Sequence, residues 1–294
     1  MIKMRERFCC GWRVLIMAGL CTAVAACVPT PVKEVEAVAE KLGDTGVLQE
    51  HIFEHDGNRV HYVARGDHNK PTIVFIHGTP GDWKMFAHQL SDPALLEVAY
   101  LVAIDRPGWA QSTAKDDALY TSLAVQAKLI APLLEELKNN GQPLIVAGHS
   151  LGATLTPYVA MLYPEATDAA VSFAGDLTSA YLETRWYNRL LTWWPFSSLA
   201  PDMLINANIE VLALPGNLDE MAEHWRHLSV PYVVYQGGKD TLVDKRNAEF
   251  AHGLKTDATV EVNFLPELDH FIHLRLHQQV DQRLVELVKQ LESG

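Results

Sequence analysis

The chain has 294 residues, of which 48% are hydrophobic and 20% are charged, with 18 Gly and 15 Pro. This is ordinary globular composition, and it excludes a largely disordered, collagen-like or disulfide-dense chain. Lys and Arg total 24 against 36 Asp and Glu, a formal net charge of −12, so the basic surface of a general nucleic-acid binder is not expected.

Residues 1–26 have the pattern of a signal peptide. A basic start is followed by the apolar stretch 14–26, which is short for a membrane-spanning helix because such a helix needs about 20 residues. The stretch ends in Val24-Ala25-Ala26-Cys27, which resembles a bacterial lipoprotein cleavage site. This resemblance implies removal of residues 1–26 and lipidation of Cys27. Ordinary secretion is the alternative, because Ala23-Val24-Ala25 also fits a signal-peptide cleavage site.

These features predict a protein of the bacterial cell envelope that is held on a membrane through lipidated Cys27. Val28 stands where an Asp often marks inner-membrane retention, which favours the outer membrane. Residues 27–46 are predicted to form a tether that joins the lipid to the body. The chain after Cys27 contains no Cys, which excludes a Cys nucleophile, a disulfide within the body and a Cys-based metal site there.

Residues 47–294 are predicted to form one α/β domain. Apolar runs of strand length alternate with segments that carry apolar residues at helical spacing, a pattern typical of a mostly parallel sheet with helices on both faces. Asp56-Gly57-Asn58 predicts a hairpin turn. The predicted strands are 48–55, 59–65, 72–76, 98–104, 144–147, 169–173, 231–235 and 259–265, and the clearest helices are 121–138, 151–163 and 271–291.

Residues 176–229 interrupt this alternation. The segment is far longer than the usual connection between a strand and a helix, and it is rich in Trp and Tyr. We therefore predict an inserted helical cap; the alternative is a loosely structured loop.

The segment Gly148-His149-Ser150-Leu151-Gly152 lies between a predicted strand and a predicted helix. This is the G-x-S-x-G pattern in the context it requires, where small residues allow a tight turn that exposes the Ser hydroxyl. The segment predicts Ser150 as a nucleophile, and the alternative is a tight turn that carries an inert Ser.

A Ser hydroxyl needs a base within hydrogen-bond reach, and the base needs a group that orients it. Asp240 and His270 each follow a predicted strand, in the chain order nucleophile, acid, base. The carboxyl ends of parallel strands meet at one edge, so we predict Asp240 as the acid and His270 as the base. Asp244, Asp269 and His273 are the neighbouring competitors for these roles.

An oxyanion hole needs two backbone N–H groups aimed at the developing negative charge. Leu151 follows the nucleophile and is predicted to supply one of them. The turn after the strand 72–76 is predicted to supply the other. Pro80 lacks an N–H, so Thr79 is the predicted donor, and His77 is expected to have a structural role.

Together these segments resemble the landmarks of the α/β-hydrolase superfamily. They are, in order, His77-Gly78-Thr79-Pro80-Gly81, Asp105-Arg106-Pro107-Gly108-Trp109, Gly148-His149-Ser150-Leu151-Gly152, Gly237-Gly238-Lys239-Asp240 and Asp269-His270-Phe271. The resemblance implies an eight-stranded sheet, a cap after the sixth strand and Ser-His-Asp acyl transfer without a metal or cofactor. It also implies a largely structural role for the Asp105-Arg106 loop.

Members of that superfamily that open epoxides or displace halide carry Asp at the nucleophile position, so Ser150 argues against those activities. The predicted activity is hydrolysis of a small-molecule carboxylic ester. A prolyl aminopeptidase, which would bind the substrate amine through Glu183, Glu210 or Glu220, is the first alternative. A cofactor-free haloperoxidase-like enzyme and a non-catalytic ligand-binding lipoprotein are the others.

The aromatic residues of the cap favour a substrate with an apolar acyl or alkyl group, with Trp186, Trp193 and Trp194 as candidate binding residues. The same residues are equally compatible with a core internal to the cap. A third interpretation is that they rest on a lipid bilayer, because Trp and Tyr near a basic residue are typical of interfacial segments.

Overall fold

The computed structural model describes residues 29–138, 141–183, 185–194 and 197–293. An eight-stranded sheet lies at its centre. The strands are β1 (Gln49–His55), β2 (Asn58–Arg65), β3 (Thr72–Ile76), β4 (Tyr100–Ile104), β5 (Leu144–His149), β6 (Ala169–Phe173), β7 (Tyr232–Gly237) and β8 (Val260–Leu265). Their order in the sheet is β1-β2-β4-β3-β5-β6-β7-β8. The pairings β1–β2 and β2–β4 are antiparallel and the other five are parallel, which confirms the predicted fold class.

The central strands are buried along their whole length because helices cover both faces of the sheet. In β3, Val74 and Ile76 enter the core on one face, and Ile73 and Phe75 enter the core on the other. Continuous apolar runs such as this one are what a doubly covered parallel strand requires.

Ten α-helices are assigned in the described residues. They are α1 (Thr30–Asp44), α2 (Ala87–Ser91), α3 (Pro93–Val98), α4 (Leu123–Leu137), α5 (Leu151–Leu162), α6 (Trp186–Leu191), α7 (Asp202–Ala222), α8 (Asn247–His252), α9 (Ile272–Arg275) and α10 (His277–Ser293). Helices α4, α5 and α8 contribute to the core on one face of the sheet, and α1, α2, α3 and α10 contribute to the core on the other. Within the described ranges, no helix combines the length and apolar character needed to cross a bilayer.

The segment predicted as a tether is for the most part a helix docked on the body. Val35, Ala39 and Leu42 of α1 are buried in the same core as Phe86 and Leu90. These three residues recur at helical spacing, so α1 presents one apolar stripe, and burying that stripe is worth several kcal/mol by area. The predicted cleavage and lipidation site at Cys27 lies outside the described residues.

The segment 176–229 leaves the sheet after β6 and returns at β7, and it contains α6 and α7. Asn188 of α6 and Asn208 of α7 are buried against each other, with Asn188 Nδ2 donating to Asn208 Oδ1 at 2.8 Å. Asn217 joins α7 to the body because its Nδ2 donates to the Thr121 carbonyl at 2.8 Å. We call residues 176–229 the cap.

The long terminal helix expected over 271–291 is two helices, α9 and α10. The chain leaves helical geometry at Leu276, where φ is −117° and ψ is 33°. Leu274 before the break and Val280 after it enter the same core. The helical spacing of apolar residues continues across Leu276, so it did not predict the change in direction of the chain there.

Candidate active site

Ser150 occupies the sharp turn between β5 and α5. Its φ is 55° and its ψ is −123°, a left-handed backbone conformation that costs a non-glycine residue about 1 to 3 kcal/mol. The turn is held from β6, because the Ser150 N–H donates to the Phe173 carbonyl at 2.9 Å. This turn places the Ser150 hydroxyl between the end of a buried strand and the start of a helix, as the sequence pattern predicted.

The two glycines that flank Ser150 are required by close backbone contacts. A Cβ on Gly148 would lie 2.2 Å from the Gly152 carbonyl oxygen, and a Cβ on Gly152 would lie 2.2 Å from the Ile76 carbonyl oxygen. No side chain fits at such distances. The turn therefore packs directly against both α5 and the end of β3.

His270 and Asp240 meet at the carboxyl ends of β8 and β7. The distance from His270 Nδ1 to Asp240 Oδ2 is 2.9 Å, and both side chains are buried. The other carboxylate oxygen of Asp240 accepts the N–H groups of Leu242 at 2.8 Å and Val243 at 3.0 Å. These bonds fix the carboxylate, so His270 donates from Nδ1 and keeps Nε2 as the proton acceptor.

The neighbouring candidates for acid and base have other partners. Asp244 forms an ion pair with Arg246, and Asp269 forms one with Arg275. The ring of His273 is fully buried, and burial lowers its pKa to about 3. Among the candidates weighed from the sequence, Asp240 is the carboxylate bonded to His270.

His149 links the nucleophile to the base. It precedes Ser150 in the chain, and its ring centroid is 4.7 Å from that of His270. Its Nε2 is 3.1 Å from the His270 carbonyl oxygen. No hydrogen bond joins Ser150 directly to His270 in the part of the chain that is described. Such bonds are often long in free enzymes and tighten when substrate is bound.

The turn after β3 lies directly over the nucleophile. A Cβ on Gly78 would lie 2.8 Å from Ser150 Cβ and 3.4 Å from its Oγ. Thr79 and Leu151 line the same cavity as Ser150. Both predicted oxyanion donors therefore belong to segments that contact the nucleophile.

The loop after β4 packs against the turn after β3 and supports it. Asp105 is fully buried and accepts from Trp83 N at 2.9 Å, and its second oxygen is 2.8 Å from His61 Nδ1. His77 Nε2 accepts the Arg106 N–H at 2.9 Å. Burial, reinforced by the charge of Arg106, lowers the pKa of His77 to about 3, so His77 is a neutral structural residue.

Asp176 is a site residue that the sequence reasoning missed. It lies just after β6, lines the cavity beside Ser150 and is 7% exposed. Burial raises its pKa to about 7, and the charge of Asp240 contributes in the same direction. The strand-end rule that selects Asp240 applies equally to Asp176, which the sequence pattern marks only as the start of the predicted cap.

A cavity of about 270 Å³ lies between the cap and the nucleophile. Thr79, Pro80, Ser150 and Leu151 form its floor on the body. Its remaining walls are mostly aliphatic, with ionisable groups at Asp176, Glu183 and Arg185. The apolar lining residues are Leu182, Leu191, Leu204, Ala207, Val211, Leu214, Leu242 and Val243.

The structure does not bring the three candidate tryptophans to this cavity. Trp186 is 75% exposed, Trp193 65% and Trp194 74%, and none of them lines it. For Trp186, helical spacing explains the difference, because α6 turns Asn188 and Leu191 toward the cavity and Trp186 away from it. Aliphatic side chains form the wall that was predicted to be aromatic.

Of the three acidic residues considered as an amine clamp, Glu210 is already paired. Its carboxylate forms a buried ion pair with Arg106 at 2.8 Å. Glu183 lines the cavity and Glu220 does not. No group of three or more His, Asp or Glu side chains arranged for a metal ion occurs among the described residues.

Comparison with known proteins places the chain in a family. Residues 73–283 match the family model described as the alpha/beta hydrolase family. Epoxide hydrolase 4 of Mus musculus is 33% identical over 111 residues, which is 37% of this chain and 29% of the mouse protein. The chain thus spans less than a third of the length of that curated relative.

Solved structures share the fold at low sequence identity. A protein from Acinetobacter baumannii AYE assigned as a lipase aligns with a TM-score of 0.67 and 19% identity over 88% of this chain and 97% of its own. Epoxide hydrolase I of potato (Solanum tuberosum) aligns with a TM-score of 0.65 and 19% identity over 83% of this chain and 99% of its own. With the family model covering most of the described body, the chain belongs to the alpha/beta hydrolase family.

Proposed function

We propose that this protein is a serine hydrolase that cleaves carboxylic esters with an apolar acyl or alkyl part. One observation carries the proposal: strained Ser150 shares its cavity with Thr79 and Leu151, while the base His270 is oriented by Asp240 at 2.9 Å. Nucleophile, oriented base and oxyanion donors are the three parts that acyl transfer requires.

The proposed reaction begins with attack of Ser150 Oγ on the ester carbonyl carbon as His270 Nε2 takes the hydroxyl proton. The N–H groups of Thr79 and Leu151 hold the resulting oxyanion. His270 then returns the proton to the departing alcohol, which leaves an acyl group on Ser150. A water molecule activated by His270 hydrolyses that acyl-enzyme and regenerates the hydroxyl.

The chemistry of the nucleophile favours esters over epoxides, although relatives named as epoxide hydrolases align with part of the chain. A carboxylate that opens an epoxide forms an ester, which water can cleave. A serine oxygen that opened an epoxide would form an ether, and the described residues of this site include nothing suited to cleaving one. Ser150 supports turnover only where attack produces an acyl-enzyme.

The cavity walls support an apolar substrate. The cap and the loop after β7 contribute aliphatic side chains, and the charged groups are few. Burial of an acyl chain against such walls contributes about 25 cal/mol per Å² of apolar surface. We therefore place the acyl or alkyl part of the substrate under the cap.

We also propose that the enzyme works at a membrane of the cell envelope, the outer membrane by preference, anchored through Cys27. Helix α1 starts at Thr30, and the charge of Glu34 in its second turn reaches Arg275. Arg275 bonds Asp269, the neighbour of His270. Cys27 precedes Thr30 by three residues, a span of at most about 11 Å, so we propose that the lipid holds this end of α1 close to the membrane.

The exposed tryptophans of the cap support the same orientation, because indole rings favour the interface of a bilayer. The test compares two triple variants reconstituted as lipidated protein in phosphatidylcholine vesicles that contain brominated lipid. Replacing Trp186, Trp193 and Trp194 by Ser should remove most of the quenchable fluorescence. Replacing the exposed residues Val47, Ile52 and Phe264 by Ser should leave quenching unchanged. Equal quenching in both variants would exclude the cap as the membrane face.

Lipidation itself is tested by growing cells with an alkyne-bearing fatty acid and measuring its incorporation into the full chain. Incorporation that disappears in Cys27→Ser supports the anchor. Incorporation that persists, or that never occurs in the unsubstituted chain, contradicts it. Neither result depends on catalysis.

A fluorophosphonate probe tests the catalytic proposal because it reacts covalently with an activated serine. Labelling of the folded protein should disappear in Ser150→Ala. A chromogenic short-chain ester should be hydrolysed faster than a proline amide with a free amine. Preference for the amide would favour the aminopeptidase alternative, and absence of labelling would favour a ligand-binding protein.

A further inference from the structure

A fully buried arginine connects the cap to the turn that carries Thr79. The guanidinium of Arg106 donates to the carbonyl oxygens of His77 and Gly78, each at 3.1 Å. It also donates to Gln126 Oε1 at 2.8 Å and to both carboxylate oxygens of Glu210, at 2.8 and 3.0 Å. One side chain thus joins the loop after β4 to the turn after β3 and to helix α7 of the cap.

Glu210 is the partner that the cap supplies. Its Oε1 also accepts from Trp109 Nε1 at 3.1 Å and from Gln126 Nε2 at 3.2 Å, and the residue is 2% exposed. Burial acts to raise the pKa of this carboxyl, but the charge and hydrogen bonds of Arg106 outweigh burial and hold the pKa below its usual value. The Glu210 carboxyl is therefore ionised at neutral pH, beside the guanidinium of Arg106.

The contact with Gly78 determines where the next N–H points. The Gly78 carbonyl and the Thr79 N–H belong to one planar peptide unit and point in opposite directions when that unit is trans. Arg106 Nη2 donates a hydrogen bond to the Gly78 carbonyl oxygen, and His77 Nδ1 lies 2.7 Å from the same atom. Because these contacts fix the Gly78 carbonyl oxygen, they also fix the direction of the Thr79 N–H.

We propose that Arg106 and Glu210 are positioning residues that aim the Thr79 N–H at the oxyanion and make this aim depend on the placement of cap helix α7. The proposal rests on the proposed function, because Thr79 matters only if an oxyanion forms at Ser150. Neither charged group lines the cavity, and Glu210 also interacts with the side chain of Thr79, so both act on the Thr79 segment and not on the substrate.

Helix α7 also touches the substrate space. Ala207, Asn208, Val211 and Leu214 line the cavity on the same helix that carries Glu210. A substrate that holds α7 in the correct position therefore also positions Glu210. Through Arg106, it positions the Thr79 N–H as well. The cap thereby contributes to the chemical step as well as to substrate binding.

The test uses the full chain with Glu210→Gln, with the double variant Arg106→Met/Glu210→Met, and with Asn217→Ala as control. Asn217 is another contact between α7 and the body, but it touches neither the turn nor the cavity. Removing a whole oxyanion donor costs about 100- to 1,000-fold in kcat, so we expect a misaimed donor to cost about 10- to 100-fold. KM should be unchanged, and fluorophosphonate labelling should slow by the same factor.

The double variant keeps the proposal testable if Glu210→Gln fails to fold. An unpaired buried arginine is strongly destabilising, whereas an apolar pair of similar volume is tolerated. The double variant should therefore recover the Tm that Glu210→Gln loses, while its kcat stays low. Asn217→Ala removes a different contact of α7 and keeps the Arg106–Glu210 pair, so it should lower Tm but change kcat far less than either Glu210 variant.

A readout independent of turnover is the Thr79 amide resonance in protein labelled with 15N-threonine, assigned by Thr79→Ser. It should shift in Glu210→Gln and in the double variant, and it should stay in place in Asn217→Ala. Normal kcat in a folded double variant, or an unmoved Thr79 resonance, would overturn the positioning role. Failure of the unsubstituted chain to react with the probe or hydrolyse any ester would count against the proposed function, while the resonance would still test the contact.

Discussion

The ring of His149 lies against the ring of His270, the proposed base, with centroids 4.7 Å apart and with Nε2 of His149 3.1 Å from the His270 carbonyl oxygen. Burial lowers the pKa of His149 well below its usual value, and the neighbouring His273 and His270 rings add to this effect. The ring is therefore neutral, and Nε2 donates because its partner is a carbonyl. The residue before the nucleophile holds the backbone of the base.

Replacing His149 by Phe should lower kcat about fivefold, because the packing is kept but one buried hydrogen bond worth about 1 kcal/mol is lost. The measurement is steady-state hydrolysis of a soluble ester. His88→Phe is the matched control, since His88 also stacks on a histidine, His277, at 4.4 Å but away from the site. Equal kcat in both variants would remove His149 from the positioning of the base.

Ser150→Ala and His270→Ala should each reduce kcat by about 10⁴- to 10⁶-fold, and the double variant should be no worse than either. The reason is that attack and proton transfer are one step, so removal of either partner abolishes it. Rates are compared on one ester, with folding checked by thermal melting. Losses that multiply in the double variant would mean that the two residues act separately.

Asp176→Asn should change how stability depends on pH. Between an ordinary carboxyl pKa and the raised value of about 7, the unfolded chain has released the proton that the folded chain keeps. The free energy of unfolding therefore falls as pH rises through this window. The neutral Asn avoids this loss, so the variant should gain about 1 to 3 kcal/mol over the unsubstituted protein at pH 8 and nothing at pH 4.

Urea unfolding at pH 4, 6 and 8 measures this effect. Asp281 offers an independent comparison, because burial raises its pKa to about 7 on the other side of the sheet. Asp281→Asn should show the same pH dependence without touching the cavity. A pH-independent difference between Asp176→Asn and the unsubstituted chain would contradict a buried protonated carboxyl.

Two glycines should respond to Ala in opposite ways. Gly152→Ala forces a Cβ to 2.2 Å from the Ile76 carbonyl oxygen, so the nucleophile turn must shift and both stability and labelling at Ser150 should be lost. Gly216 lies in helix α7 with nothing within 4 Å of a Cβ, so Gly216→Ala should add about 0.5 to 1 kcal/mol to the free energy of unfolding. Thermal melting and probe labelling of both variants check the contrast, and equal effects would contradict it.

Local patterns predicted most of the fold. Continuous apolar runs identified the strands to within two residues at most ends, because burial on both faces of a sheet leaves few other residue types. The strand-end rule likewise selected Ser150, Asp240 and His270, since parallel strands present their carboxyl ends at one edge. The docking of α1 and the break at Leu276 were not predicted, because both depend on which distant surface is available for packing.

The amino-acid order alone was enough to specify the sheet, the tight turn at Ser150 and the residue types that meet at the candidate site, since each follows from short-range sterics or periodicity. The sequence alone did not predict which side chains pair with each other. Arg106 and Glu210 are separated by 104 residues, and the orientation of Trp186 depends on the rotation of α6. Such pairings emerge when the whole core packs at once, because a buried charge must meet its counterpart in space wherever that counterpart lies in the chain.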